Sequence, residues 1–94
     1  MEQKIAIITG ANGGMGATLV RDVANAGYHV VMACRDLGKA TPVYEQLKQQ
    51  HPDQIQLKKL DLASLESIKK FANEIQEEFQ HIDLLLNNAG TLCH

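Results

Sequence analysis

Short apolar segments alternate with segments of helical spacing along the whole chain. The apolar segments predict four strands, at residues 4–9, 28–34, 54–60 and 82–86, and the first of them is rich in β-branched residues. Three helices are predicted between them, with Asp36 and Ser64 as N-caps of the second and third, and with Gly27 at the left-handed position that ends the first. The apolar stripe of the third helix consists of Leu65, Ile68, Phe71, Ala72, Ile75 and Phe79.

This β-α-β-α-β-α-β order is typical of the α/β class. Right-handed crossovers give a parallel sheet with helices on both faces, and the expected strand order is 3-2-1-4. The prediction is therefore a partial Rossmann fold of four strands. Ligands of such folds bind beyond the carboxyl ends of the strands, where the winding reverses between the first and fourth strands.

Composition limits the function classes. A chain of 94 residues predicts a single domain over 1–94, and the net charge of −2 offers no basic surplus for nucleic acid or an anionic membrane. The first apolar run ends at Thr9, which is too short for a signal peptide or a membrane span. Cys34 and Cys93 fit no zinc or redox spacing, so a cytoplasmic protein with reduced thiols is expected.

The first predicted strand runs into a glycine-rich loop. Glycines stand at positions 10, 13, 14 and 16, between a strand and a helix. Glycines let the backbone turn tightly and approach a diphosphate, and the free N–H groups of the helix N-terminus face the anion. The spacing is not that of the general dinucleotide fingerprint, G-x-G-x-x-G. A turn without function is the competing interpretation, which the strand–helix context disfavours.

Three motifs together resemble the short-chain dehydrogenase/reductase family. They are Thr9-Gly10-x-x-x-Gly14-x-Gly16, Asp61-Leu62 after the third strand, and Asn87-Asn88-Ala89-Gly90 after the fourth. The resemblance covers the whole chain and implies the cofactor-binding half of an NAD(P)-dependent oxidoreductase. Because Gly13 is also present, the loop equally satisfies T-G-x-x-G-x-x-G, the form of the longer members such as sugar-nucleotide epimerases. The Asn-Asn-Ala-Gly motif favours the shorter, dehydrogenase-like branch.

The cofactor choice depends on the end of the second strand, Ala33-Cys34-Arg35-Asp36. An arginine there accommodates the 2′-phosphate of NADP, whereas an acidic residue hydrogen-bonds the ribose 2′-hydroxyl of NAD. Arg35 favours NADP, and the string resembles the retinol-dehydrogenase and protochlorophyllide-reductase-like members. Asp36 leaves NAD open as an alternative, since a shift of one residue would put its carboxylate at the ribose. The glycine loop supplies no second basic residue.

The resemblance also implies which residues contact the cofactor. The residues expected around the diphosphate and adenosine ribose are Gly10, Asn12, Gly13, Gly14, Met15 and Gly16. Asp61 and Leu62 are expected in the adenine pocket, and Asn88, Ala89 and Gly90 beside the nicotinamide ribose. Asp61 has a competing interpretation as an acid at the start of the third helix. Asn87 is expected to tie the fourth strand to its neighbours.

Catalytic residues are not expected in this sequence. The family's serine, tyrosine and lysine follow Asn-Asn-Ala-Gly by several tens of residues, and only four residues follow Gly90 here. Tyr44 and Lys48 have the Tyr-x-x-x-Lys spacing, but the helix between the second and third strands lies far from the nicotinamide end. The four histidines share no spacing typical of metal ligands, so no metal site is predicted.

The fourth strand is expected to be an open, apolar edge, which favours self-association. A homo-oligomer is predicted, with the fourth strand or the helix starting at Ser64 at the interface. Two functional hypotheses follow. The chain is either a truncated piece of an NADP-dependent carbonyl/alcohol oxidoreductase, inactive alone, or a nucleotide-binding module or relic without turnover. The substrate cannot be inferred, because the family's substrate loop lies outside this sequence.

Overall fold

A computed structural model describes residues 3–10 and 14–87, apart from the side chains of residues 14 and 15. Strands and helices alternate, as the apolar pattern predicts. In chain order the elements are β1 (Ile5–Thr9), α1 (Gly14–Asn25), β2 (His29–Cys34), α2 (Leu37–Gln50), β3 (Ile55–Lys59), α3 (Leu65–Glu78) and β4 (Leu84–Asn87).

The described strands form one parallel sheet in the order β3-β2-β1-β4. Ile7 of β1 stands between Val31 of β2 and Leu85 of β4, which fixes the register of the three strands. On the other side of β2, Met32 pairs with Leu57 of β3. The predicted fold class and strand order are confirmed. The winding reverses between β1 and β4, so the carboxyl ends of these strands open onto the position where such folds bind ligands.

The helices begin and end at the predicted signals. Asp36 Oδ1 accepts from the backbone N–H of Lys39 at 3.2 Å, and Ser64 Oγ accepts from that of Ser67 at 3.2 Å. Each is therefore an N-cap. At the end of α1, Gly27 has a φ of 100°, and two backbone bonds run from Gly27 to Ala24 and from Tyr28 to Val23. This pairing is a Schellman motif.

Hydrophobic cores cover both faces of the sheet. One buried cluster joins Val20 and Ala24 of α1 and Leu47 of α2 to the sheet, and the other joins Phe71 and Ile75 of α3 to it. The residues of β1 and nearly all of β2 are buried, as expected for inner strands between two helical layers. Leu65 and Ala72, predicted on the apolar stripe of α3, are instead exposed, because the buried face of this helix is narrower than the stripe.

The fourth strand differs from its predicted bounds of 82–86. It spans Leu84–Asn87, because Asp83 is held differently: its N–H bonds to Ile5 O at 2.9 Å, and its Oδ2 accepts from Ile5 N–H at 2.8 Å. Among the described residues β4 pairs with β1 alone. Leu85 is 64% exposed, so β4 lacks the cover on both faces that its apolar sequence would suit.

Pro42 lies inside α2. The helix begins at Leu37, well before the proline. A helical proline has no N–H to donate and its ring crowds the carbonyl four residues earlier. In α2 the carbonyl four positions before Pro42 belongs to Gly38. None of the three helices described has the length and apolar character needed to cross a bilayer.

Candidate functional site

A pocket of about 380 Å³ lies at the carboxyl ends of β1, β2 and β3. Its lining residues are Thr9, Gly10, Ala33, Arg35, Asp36, Lys39, Leu60, Asp61, Leu62 and Ala63. Thr9 and Ala33 lie in strands, Lys39 lies in the first turn of α2, and the other lining residues lie in the turns that follow β1, β2 and β3. The pocket therefore lies at the carboxyl edge of the sheet, where ligands of doubly wound folds bind, and extends from β1 toward β3.

The first side of the pocket is the end of β1. Gly10 has a φ of 62°, a left-handed conformation that suits glycine, and its N–H bonds to Ala33 O at 2.9 Å. Gly14 and Gly16 lie in the first turn of α1, close behind this bend in the sequence. Asn12, Gly13 and the side chain of Met15, all predicted to contact the cofactor, lie outside the described parts of the chain.

The second side carries two cations. Arg35 directly follows β2, and Lys39 lies in the first turn of α2; both side chains are exposed and both line the pocket. Within the described part of the chain, neither side chain makes a hydrogen bond or an ion pair. Their N–H donors are therefore available to an anionic ligand.

Sequence reasoning missed Lys39. It found no second basic residue because it considered the glycine loop, which is where such a residue is usually sought. The signal was present in Asp36: an N-cap places the residue three positions later in the first helical turn. Lys39 therefore lies in the first turn of α2 and lines the same pocket as Arg35. The predicted helix cap at Asp36 and the predicted cation at Arg35 thus belong to the same site.

The third side consists of Asp61 and Leu62, which both line the pocket. Asp61 is also tied to the start of α3: its Oδ1 accepts from Ala63 N–H at 3.0 Å, and its own N–H donates to Ser67 Oγ at 2.9 Å. The competing interpretation as a helix-start acid therefore has its own contacts. Leu62 is 46% exposed and offers an apolar surface to a ligand.

The end of β4 is tied to β1, as expected for Asn87. Thr9 Oγ1 donates to Asn87 Oδ1 at 2.8 Å. The predicted contacts of Asn88, Ala89 and Gly90 lie outside the described residues.

The Tyr-x-x-x-Lys pair of α2 lies elsewhere. Tyr44 packs against the core on the α1/α2 face of the sheet, and Lys48 Nζ lies 5.4 Å from the centre of its ring. A hydrogen bond with Tyr44 raises the pKa of Lys48 above its ordinary value. Neither residue lines the pocket. In the described ranges, no group of three or more His, Cys, Asp or Glu residues could hold a metal ion.

The chemistry of the pocket fits a dinucleotide. A guanidinium and an ammonium suit a phosphate, a left-handed glycine lets backbone approach a ligand closely, and a carboxylate beside an exposed leucine suits a purine with an exocyclic amine. A bound dinucleotide of this kind supplies hydride chemistry at its nicotinamide. The residues that would hold its adenosine end are Arg35, Lys39, Asp61 and Leu62.

Comparison with known proteins agrees with this geometry. Residues 4–94 match the family model of the short chain dehydrogenases. Mouse retinol dehydrogenase 11 is 40% identical over 90 residues, which cover 95% of this chain and 28% of that protein. The chain thus spans somewhat over a quarter of the length of this relative. The resemblance inferred from the motifs is confirmed.

Solved structures share the fold. Menthone neomenthol reductase from Mentha piperita superposes with a TM-score of 0.87 at 30% identity, covering 96% of this chain and 32% of that chain. L-sorbose reductase from Gluconobacter frateurii, solved with NADPH and L-sorbose, has a TM-score of 0.82 at 27% identity, covering 95% and 34%.

Proposed function

Because the chain belongs to the short chain dehydrogenase family, we propose that it is the NADP(H)-binding part of an oxidoreductase. One observation carries this proposal: Arg35 and Lys39 line the same pocket at the carboxyl edge of the sheet. Two cations beside an adenosine site suit the dianionic 2′-phosphate, which distinguishes NADP from NAD. The solved complex of L-sorbose reductase with NADPH supports a nicotinamide dinucleotide as the ligand.

The phosphate is recognised by charge-assisted hydrogen bonds. Arg35 presents a planar fork of donors, and Lys39 a rotatable ammonium, to the phosphate oxygens. Each bond of this kind contributes roughly 1.5–3 kcal/mol, and exposure of both side chains puts the net value at the lower end or below. Neither cation has to give up a partner in the described part of the chain, so none of this energy is spent on breaking an ion pair.

Asp36 contributes to the proposed NADP site through its cap. NAD recognition at this position uses a carboxylate that accepts from the ribose hydroxyl. Asp36 Oδ1 accepts from the N–H of Lys39 as the N-cap of α2, and this cap holds Lys39 at the pocket. One oxygen of the acidic residue that left NAD open in the sequence thus positions a cation that suits the 2′-phosphate.

The diphosphate is expected at the first β–α junction. Gly10 turns the chain out of β1 in a left-handed conformation, and α1 begins at Gly14 with its N-terminal N–H groups unpaired by the helix itself. Asn12, Gly13 and Met15 remain predicted contacts. Asp61 accepts from the adenine amine with the carboxylate oxygen that does not cap Ala63, so its two roles are compatible. Leu62 covers the purine.

The proposed reaction is hydride transfer between the nicotinamide and a carbonyl or alcohol in the whole protein. We expect this chain by itself to bind the cofactor without turnover, since the one Tyr-x-x-x-Lys pair among its described residues lies outside the pocket. That observation also favours the second candidate, a nucleotide-binding module without catalysis. A steady-state assay with NADPH and simple carbonyls tests the chain directly. Measurable turnover would contradict the position of Tyr44 outside the reacting site, and it would also contradict the second candidate.

Calorimetric titration with NADP and NAD tests cofactor choice. Arg35→Ala and Lys39→Ala should each weaken binding of NADP by about tenfold and leave binding of NAD nearly unchanged. Arg21→Ala and Lys69→Ala are the matched controls, because they remove exposed residues of the same types outside the pocket. Equal losses of affinity for NADP and NAD would show that Arg35 and Lys39 do not recognise the 2′-phosphate.

We also propose that the chain self-associates. The outer edge of β4 has no partner strand among the described residues, and Leu85 and Leu65 are 64% and 66% exposed. Unpaired strand edges beside apolar surface favour association with another copy. The interface involves either β4 or α3. A cytoplasmic location remains the expectation from sequence.

A further inference from the structure

The pocket that the structure describes is built for one end of a dinucleotide. Its lining residues come from β1, β2, the first turn of α2 and the turns that follow β1, β2 and β3, and none of those described comes from β4. On the proposed function, this end is the phosphorylated adenosine. Its recognition therefore depends on how the two cations meet a phosphate on the ribose.

Arg35 and Lys39 are not fixed to a single ribose oxygen. Both side chains are exposed, and no described residue holds either of them by a hydrogen bond or an ion pair. The backbone of Lys39 is anchored through the Asp36 cap, but its ammonium lies at the end of a flexible stem with three rotatable donors. The pair can thus follow a phosphate over a short distance.

The 2′- and 3′-oxygens of ribose are on neighbouring carbons at one edge of the sugar. A phosphate on either oxygen presents its charge to the same side of the pocket. Asp36 and Asp61 also line this pocket, and their negative charges oppose an additional phosphate at either position. The described charges therefore select for an additional phosphate more strongly than for its position.

We infer that the pocket accepts adenosine 5′-phosphates with an additional phosphate on either the 2′- or the 3′-oxygen. This inference rests on the proposed function, which assigns the adenosine end to this pocket, and extends it to a second ligand class. The 3′-phosphorylated class includes the adenosine end of coenzyme A. Recognition uses Arg35 and Lys39 for the extra phosphate and Asp61 and Leu62 for the adenine in both cases.

Titration of the chain with adenosine 2′,5′-bisphosphate, adenosine 3′,5′-bisphosphate and 5′-AMP tests the inference. Both bisphosphates should bind within roughly threefold of each other and about tenfold more tightly than 5′-AMP. Coenzyme A should displace the 3′,5′-bisphosphate. Arg35→Ala and Lys39→Ala should weaken binding of both bisphosphates and leave that of 5′-AMP unchanged, while the control Lys69→Ala should alter none of the three.

The outcomes separate the inference from the proposed function. Tighter binding of the 2′,5′-bisphosphate alone, with the 3′,5′-bisphosphate binding no better than 5′-AMP, would overturn the inference and leave the NADP assignment intact. Equal affinity for all three nucleotides would overturn both. Loss of 3′,5′-bisphosphate binding in Lys69→Ala as large as in Lys39→Ala would also reject the pocket as its site.

Discussion

Thr9 and Asn87 join the carboxyl ends of β1 and β4 through a hydrogen bond of 2.8 Å, in which Thr9 Oγ1 donates to Asn87 Oδ1. The two residues are direct partners in the parallel register. Thr9 is 6% exposed, so its hydroxyl has little access to water. The bond lies where the winding of the sheet reverses, next to the pocket that Thr9 also lines.

Removal of this hydroxyl should destabilise the fold. Thr9→Val keeps the shape and β-branching of the side chain but leaves Asn87 without its donor, at a cost of about 1 kcal/mol in the free energy of unfolding. Urea denaturation measures this change. Thr9→Ser keeps the donor and should retain the bond while losing one methyl group. A valine variant more stable than the serine variant would contradict the contribution assigned to the bond.

Asp36 offers a test of the two roles that its carboxylate could have. Asp36→Asn keeps an N-cap and should leave the stability of the fold nearly unchanged, whereas Asp36→Ala should lower the free energy of unfolding by about 1 kcal/mol. Asp36→Asn should also bind NADP at least as tightly, because a negative charge beside the phosphate is gone. Weaker NAD binding in Asp36→Asn, measured by calorimetry, would instead indicate a carboxylate at the ribose.

Gly27 should be sensitive to substitution for backbone reasons alone. Its φ is 100°, and a Cβ added there meets no atom within 4 Å. Gly27→Ala should therefore cost about 1–2 kcal/mol through the left-handed conformation and not through a clash. Asparagine tolerates this region better, so Gly27→Asn should cost less. Equal stability of the alanine variant and the parent in urea would show that the end of α1 rearranges.

Glu78 gives the fold an acid-sensitive contact. The hydrogen bond from Gln56, followed by that from Lys58, lowers the pKa of Glu78 below its ordinary value of 4.5. A lowered pKa in the folded state stabilises the fold above the unfolded value, and this contribution is lost as the pH falls through the folded value. Glu78 is 42% exposed at its side chain, which limits the effect to under about 1 kcal/mol.

Urea midpoints at pH 7 and at pH 3.5 measure this contribution. Glu78→Gln should unfold more easily than the parent at pH 7 and should differ less from it at pH 3.5. Glu77→Gln is the matched control, because it removes a neighbouring exposed carboxylate, whereas the described contacts of Gln56 and Lys58 on this helix are with Glu74 and Glu78. A constant difference between Glu78→Gln and the parent at both pH values would reject the ionised contact.

Leu85 and Leu65 distinguish the two proposed interfaces. Leu85→Lys places a charge on the exposed face of β4, and charged residues on edge strands oppose strand addition. If β4 forms the interface, this variant should be monomeric by light scattering while Leu65→Lys associates like the parent. The reverse result would assign the interface to α3. A parent chain that is monomeric at high concentration would contradict self-association altogether.

Local chemistry explains why most of the fold could be predicted. The caps at Asp36 and Ser64 and the turn at Gly27 depend on neighbours within a few residues, and all three were predicted correctly. The bounds of β4 were not, because Asp83 is held by Ile5, which lies 78 positions earlier in the sequence. No pattern near residue 83 indicates that contact.

The residues of the candidate site divide in the same way, into those indicated by local motifs and those whose position depends on the rest of the fold. Gly10, Arg35, Asp61 and Leu62 were predicted from motifs and line one pocket. Lys39 was missed, since its place at the pocket depends on how α2 leaves the sheet. Five further predicted contacts, at positions 12, 13 and 88–90, lie outside the described residues.

The pairing of β1 with β4 has a consequence for biosynthesis. β1 can meet β2 soon after both are made, but its other partner, at Leu84, is 78 positions later than Ala6. At ribosomal speeds of about 5–20 residues per second, this separation corresponds to a delay on the order of 4–16 s. During that time one edge of β1, a β-branched strand that is buried in the folded protein, has no partner strand. Chaperone capture or mispairing in the cell should therefore target β1.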